Sequence, residues 1–150
     1  MAEAATTTAP ELTITRSFNA PAALVFKAWT QAEHLVRWLG PRSHPAREVE
    51  VDFREGGAWR ACLRSPDGED LWMGGRYREI SPPDRLVLTF AWDSTGFETV
   101  VTIRLEEVGE RTVMHFHQAP FASVDSRDSH NEGWSSSFDR LEAFVADFAD

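Results

Sequence analysis

The sequence holds one cysteine, Cys62, one lysine, Lys27, and one tyrosine, Tyr77, among its 150 residues. A lone cysteine excludes an internal disulfide framework and any site built on several thiolates, and a reducing compartment is its simplest setting. No basic run occurs, and 24 acidic against 15 basic residues give a formal charge of −9. The field of the whole molecule therefore repels nucleic acid and anionic membrane surfaces. No segment approaches the roughly 20 apolar residues that span a bilayer, and "MAEAATTTAP" at the start lacks both a positive segment and an apolar stretch of leader length. The expected setting is cytoplasmic, with neither nucleic acid nor the membrane interior as a partner. Residues 1–10, small and polar, are expected to form a flexible tail, and residues 11–150 a single domain.

Large rings are plentiful instead: six Trp and ten Phe bring the aromatic share to 11%. A chain of this length buries roughly 70% of the surface its unfolded form exposes. Such rings either fill that interior or line a hole in it, and composition does not choose between the two.

Periodicity sets out the elements. "ELTITRSFN" (11–19) alternates Leu12, Ile14, Arg16 and Phe18 against Thr13, Thr15 and Ser17, the signature of a strand. "APAALVFKAWTQAEHLVRWLG" changes to three- and four-residue steps through Leu24, Val25, Ala28 and Trp29, then Leu35, Trp38 and Leu39. This predicts two short consecutive helices, with Pro21 in the first turn, Thr30 as a cap for the second, and Gly40-Pro41 as its stop. From Ala46 the two-residue period returns in six runs separated by "REGG", "SPDGED", "SPPDR", "DSTG" and "VGER", an antiparallel meander. A longer helix of about 18 residues, roughly 27 Å, is predicted to start near Ser129–Asn131. Its apolar stripe runs through Trp134, Phe138, Leu141, Val145 and Phe148, flanked by Phe144.

Two glycine pairs invite a phosphate reading. A phosphate-cradling loop needs a helix N-terminus directly after it, and Gly56-Gly57 leads into a strand, so a hairpin turn is expected. Gly74-Gly75 lies within a strand pattern and predicts a bulge or a close approach to another element.

One strand, two short helices, six antiparallel strands and a long final helix is the order of the α+β helix-grip fold, a curved sheet wrapped around its C-terminal helix. "APAALVFKAWT", "RWLGP", "VDFREGGAW", "GRYREISPPDRLVLTFAW" and "GWSSSFDRLEAF" together resemble the family related to the C-terminal domain of the activator of Hsp90 ATPase, within the START-like or polyketide cyclase/dehydrase superfamily. The resemblance runs from about Glu11 to Phe148. It implies an apolar cavity between sheet and long helix. Fold membership by itself does not select among lipid carriers, cyclases, receptors and co-chaperone domains. The full-length Hsp90 activator carries a further N-terminal domain for that interaction, and no room for one is expected here. Where the family pattern commonly has a histidine in the last strand, this chain has Gln118. His115 and His117 lie on the opposite parity and are expected to face outward.

No catalytic constellation is legible, and neither a metal nor a cofactor is expected. His115 and His117 share a strand face, but a zinc site needs a third converging ligand. His34, His44 and His130 are scattered and are assigned no role. Asp52 and Glu79 stand beside Arg54, Arg76 and Arg78, and structural ion pairs are the simpler reading; a buried Glu79 or Arg54 would instead mark a polar anchor. Ser135, Ser136 and Ser137 lack a base, and Cys62 shares the outward parity of Arg60 and Arg64.

The aromatic set carries the functional expectation. Trp59, Met73, Tyr77, Phe90, Trp92, Phe116, Gln118, Trp134, Phe138 and Leu141 are expected to line a cavity for a hydrophobic small molecule, lipid, aromatic or polyketide-like, with Tyr77 and Gln118 as polar anchors. A protein-interaction module of the Hsp90 co-chaperone or stress-response kind, with a chaperone or other protein as partner, is the alternative. A polyketide cyclase-like enzyme is a second alternative. The edges formed by the first two strands allow a monomer or a weak dimer.

Overall fold

The computed structural model describes residues 9–148. The expected tail lies outside the described residues over 1–8, as does the end of the expected domain at 149–150. The elements are β1 (Leu12–Phe18), α1 (Ala22–Thr30), α2 (Ala32–Trp38), β2 (Ala46–Val51), β3 (Ala58–Arg64), β4 (Asp70–Ser81), β5 (Arg85–Trp92), β6 (Thr99–Val108), β7 (Arg111–Ala119) and α3 (Val124–Phe148). The seven strands form one sheet in the order β1-β7-β6-β5-β4-β3-β2, every neighbouring pair antiparallel. The first two strands are its edges. Register shifts between Tyr77 and Glu79 and between Ala46 and Glu48 interrupt the ladders, where an extra residue bends a strand and raises its twist.

Alternation decides which side chains enter the core. On β7, Thr112, Met114, Phe116 and Gln118 are buried while His115 and His117 face outward; each histidine meets a different carboxylate, Glu106 at 3.2 Å and Glu11 at 2.7 Å. Arg16, on the inward parity of edge strand β1, reaches out to Asp139 (2.8 Å) and Glu142 (3.0 Å) and ties α3 to that edge.

The glycine pairs resolve as turn and close approach. Gly56 has φ +86° in the β2–β3 hairpin, the left-handed region where a side chain is strained. Its N–H donates to the Tyr77 carbonyl at 2.8 Å, which pins the hairpin against β4. At Gly75 a Cβ would collide with the Thr89 carbonyl oxygen of β5, while the bulge in β4 lies further on, at Tyr77/Glu79.

Four local expectations are corrected. Thr30 does not cap α2: its hydroxyl donates back to the Phe26 carbonyl at 2.9 Å, and Gln31 holds the cap position. Helix α3 starts at Val124 and has 25 residues, about 37 Å at 1.5 Å per residue. Its cap is Ser123, whose hydroxyl accepts the Ser126 N–H at 3.0 Å. The first turns, "VDSRDSH", are polar and mostly exposed, so no apolar period announces them. At the other end Phe148 leaves the buried stripe, half exposed, and packs on Phe144 and His34. Cys62 keeps its expected parity yet is fully buried, in register with Trp72 and Glu48.

Candidate functional site

Between the sheet and the first half of α3 lies a cavity of about 300 Å³. Its floor comes from alternate residues of three neighbouring strands: Leu63 of β3, Leu71 and Met73 of β4, Phe90 and Trp92 of β5. Ser129, His130, Gly133, Trp134 and Ser137 of α3 form one wall. The loop after α2 forms the other, with Leu39, Gly40, Pro41 and His44. Pro41, His44, Ser129 and Gly133 also border an adjoining groove, whose other sides are Arg42, Ser43, Glu132 and Ser136.

The rings are held by hydrogen bonds to the protein itself. Trp134 Nε1 donates to Gln118 Oε1 at 2.8 Å. Gln118 Nε2 donates to Thr99 Oγ1 at 2.8 Å, and Thr99 Oγ1 donates to the Phe90 carbonyl at 3.1 Å. This chain is buried, where a satisfied polar network rigidifies and an unpaired member costs most. Trp92 Nε1 donates to His130 Nε2 at 3.0 Å. His130 Nδ1 faces the Ser126 carbonyl at 2.8 Å, which assigns the imidazole proton to Nδ1 and leaves Nε2 as the acceptor. Trp59 Nε1 donates to the Thr89 carbonyl at 2.9 Å. The Ser137 hydroxyl donates back to the Gly133 carbonyl at 3.0 Å, so the wall offers a ligand mainly carbon, with the Ser129 hydroxyl and the His44 ring as polar points.

The loop wall is fastened to α3. Arg140 donates to the carbonyls of Leu39 (3.0 Å), Gly40 (2.7 Å) and Arg37 (2.9 Å), occupying the open C-terminal end of α2. Burial lowers the pKa of this guanidinium, and the charge of Arg42 lowers it further. The Arg42 N–H donates to Ser136 Oγ at 3.0 Å. Gly40 turns the chain at φ +89°, and a Cβ there would collide with the His44 carbonyl oxygen.

Of the ten residues expected on the cavity wall, Met73, Phe90, Trp92 and Trp134 stand on it. Trp59 lies behind Phe90, ring centroids 5.8 Å apart. Phe116, Phe138 and Leu141 are fully buried on the other side of Trp134, the two phenylalanines within 6.3 Å of Trp29. Gln118 has its amide committed to Trp134 and Thr99. Tyr77 packs on Phe53 at 5.2 Å, and desolvation pushes its phenol pKa up. Strand parity, or for Phe138 and Leu141 the helical stripe, put these toward the interior, but α1 and α2 fill part of that space.

His44 and His130, assigned no role from sequence, both border the cavity, whereas His34 packs between Phe144 and Phe148. The loop residues Leu39–His44 carried one signal, the "WLGP" helix stop. Of the α3 residues before Trp134, Ser129 and His130 fell at the expected helix start and are polar, so no apolar period pointed to them, while Gly133 opened the "GWSSSFDRLEAF" motif without a site role. The carboxylates lie elsewhere: Asp52 pairs with Arg54 at 2.9 Å, Glu79 with Arg85 at 3.0 Å and Asp93 with Arg60 at 2.7 Å. These are exposed pairs, screened by solvent and weakly stabilising at most.

A curved seven-strand antiparallel sheet closed over one long C-terminal helix, with an apolar hole between them, defines the START-like helix-grip class. The match to a family model is more specific. The chain belongs to the activator of Hsp90 ATPase homolog 1-like family, whose model matches residues 19–146. Protein CV1439 from Chromobacterium violaceum is similar at 26% identity, over 90% of this chain and 96% of that one, with a TM-score of 0.81. A protein from Arthrobacter aurescens is 25% identical over 91% of this chain and 86% of its own, with a TM-score of 0.81. The AHSA1 protein from Silicibacter pomeroyi, 23% identical over 91% and 98% of the two chains, shares the fold with a TM-score of 0.82. A search of the curated proteins finds no match. Among the described residues, no helix is long and apolar enough to cross a membrane.

Proposed function

We propose that this protein binds a small hydrophobic molecule in the cavity between β3–β5 and the first half of α3. The observation that carries this reading is the cavity itself: about 300 Å³, walled by Leu39, Leu63, Leu71, Met73, Phe90, Trp92 and Trp134. Small-molecule sites are mostly apolar concavities with a few polar points. The tryptophan N–H groups on the wall are already paired with the protein, so binding is by shape and apolar contact rather than by hydrogen bonding to indoles. An interaction module working through its surface calls for a filled interior and a contiguous apolar patch. Here the large exposed apolar side chains, Phe53, Phe97, Val108, Val124 and Phe148, sit in loops or at element ends, which favours the internal site.

The test is native mass spectrometry of the untagged protein, with release and identification of any adduct. An apolar molecule bound one to one supports the reading, and titration followed by the intrinsic tryptophan fluorescence, to which Trp92 and Trp134 on the wall contribute, then ranks its relatives. A bare protein mass, joined by an unchanged tryptophan signal across a panel of lipids and aromatic compounds, would sink it.

A further inference from the structure

Gly133 stands in the interior of α3 with nothing to explain it in the packing. A Cβ built on it has open space for 4 Å around, in contrast to Gly40, Gly57, Gly74 and Gly75, where it would strike backbone. Its φ is not positive. Neither conformation nor close contact requires glycine here, and in a helix interior glycine is less favourable than any residue but proline. The local structure would be firmer with alanine.

Its position supplies a reason. Gly133 borders both the cavity and the polar groove outside it, together with Pro41, His44 and Ser129. The facing rim is fixed by Arg140 on the Leu39 and Gly40 carbonyls and by Ser136 on the Arg42 N–H. With that rim held, the width of the opening depends on what α3 projects toward it. At residue 133 it projects a bare peptide face.

We propose that Gly133 is the aperture residue of the cavity: its missing side chain keeps the entrance between α3 and the 39–44 loop open and gives a flat ring a backbone surface to pass over and rest on. This rests on the reading that the cavity binds a small apolar molecule, and it narrows the ligand class. At about 300 Å³ the site is at the small end of ligand pockets, the size class of a compact ring compound rather than a two-chain lipid.

The experiment is stopped-flow tryptophan fluorescence with 2-naphthol as the probe, on the wild type, Gly133→Ala, Gly133→Leu and Met73→Trp, with melting curves for each. Met73 lies on the floor, so Met73→Trp fills the cavity without touching the entrance. The expected result is saturable binding by the wild type and none by Met73→Trp. Gly133→Ala should melt about 2–4 °C higher yet associate more slowly, and Gly133→Leu should associate at least about tenfold more slowly. If both Gly133 variants stay folded and associate at the wild-type rate while Met73→Trp abolishes binding, the cavity reading survives and the aperture proposal is overturned. A lower melting temperature for Gly133→Ala also overturns it, because the fold itself would then demand glycine. A wild type that binds no 2-naphthol, or binds it undisturbed by Met73→Trp, removes both.

Discussion

The two halves of the space under the sheet are built from the same ingredients and end differently. Beneath β6 and β7, Trp29, Trp38, Phe116, Phe138 and Leu141 interlock, with Trp29 and Trp38 at 4.9 Å and Phe116 and Phe138 at 5.2 Å, all of them nearly or wholly inaccessible. Beneath β3–β5, Phe90, Trp92 and Met73 surround a void. The difference is a missing layer. Helix α1 packs on β6, β7 and α3 and drives Trp29 between them; over β3–β5 the cover is the first half of α3 and the 39–44 loop, without a helix wedged between. Trp134 sits on the boundary, 4.9 Å from Phe116 on one side and 6.1 Å from Phe90 on the other. Aromatic density alone therefore says nothing about a cavity. What matters is whether a further element fills the space beside the rings.

The sharpest way to break this comparison is to truncate one residue in each half. Phe138→Ala, in the packed half, is expected to cost about 3–5 kcal/mol, from lost burial plus the hole left behind. Met73→Ala, beside an existing void, should cost about 2 kcal/mol, the low end for a buried methionine. Urea unfolding of both reads the contrast, and equal losses would mean that the open half is as tightly packed in solution as its neighbour.

Next in size is the boundary itself. Gln118→Leu keeps the shape but leaves the buried Trp134 N–H without its acceptor, an expected loss of about 1–3 kcal/mol, with a shift in tryptophan emission as the ring is released. No loss of stability would show that the Gln118 link does not set the boundary.

Arg140→Ala removes the clamp on the loop wall. Because this group is partly exposed, about 1 kcal/mol is expected, and the clearer readout is faster amide exchange over residues 39–46. Arg140→Lys should restore little of the protection, since an ammonium cannot spread over three carbonyls as a planar fork does. Unchanged exchange in both variants would mean that the loop is held by its own turn.

The smallest effect lies on the outer face of the sheet. Arg60 donates to both oxygens of Asp93 at 2.7 Å and lies over the Trp72 ring. The hydrogen bond from Arg60 holds the Asp93 pKa below its ordinary value. A lowered folded-state pKa contributes stability above the unfolded value, about 3.9 for aspartate, and loses it as pH falls through the folded value. The melting-temperature gap between wild type and Asp93→Asn should be constant above about pH 4 and close below it. A gap that instead widens on acidification would contradict the pairing.

Much of the fold was legible because alternation and helical spacing survive in local sequence. Met114, Phe116 and Gln118 announced the inner face of β7 and His115 and His117 the outer one, since adjacent side chains on a strand point to opposite faces. The first turn of α3 was not legible, because Val124–Asp128 are exposed or half-buried and carry no apolar stripe. The site was legible only in part for a related reason. Met73, Phe90 and Trp92 could be placed by parity and Trp134 by its helical stripe, but His130, Gly133 and the 39–44 loop reach the cavity through long-range packing.

By itself the sequence determined the order of elements, the inward and outward faces of each strand, and through five ordered motifs the family. Those properties follow from short-range sterics and from the burial of a periodic apolar face. Only the tertiary structure decided where the interior is solid and where it is hollow. That outcome depends on how the volumes of side chains from α1, α2, α3 and the sheet sum at each point, and close packing responds to differences as small as one methylene. No local pattern along the chain carries that sum.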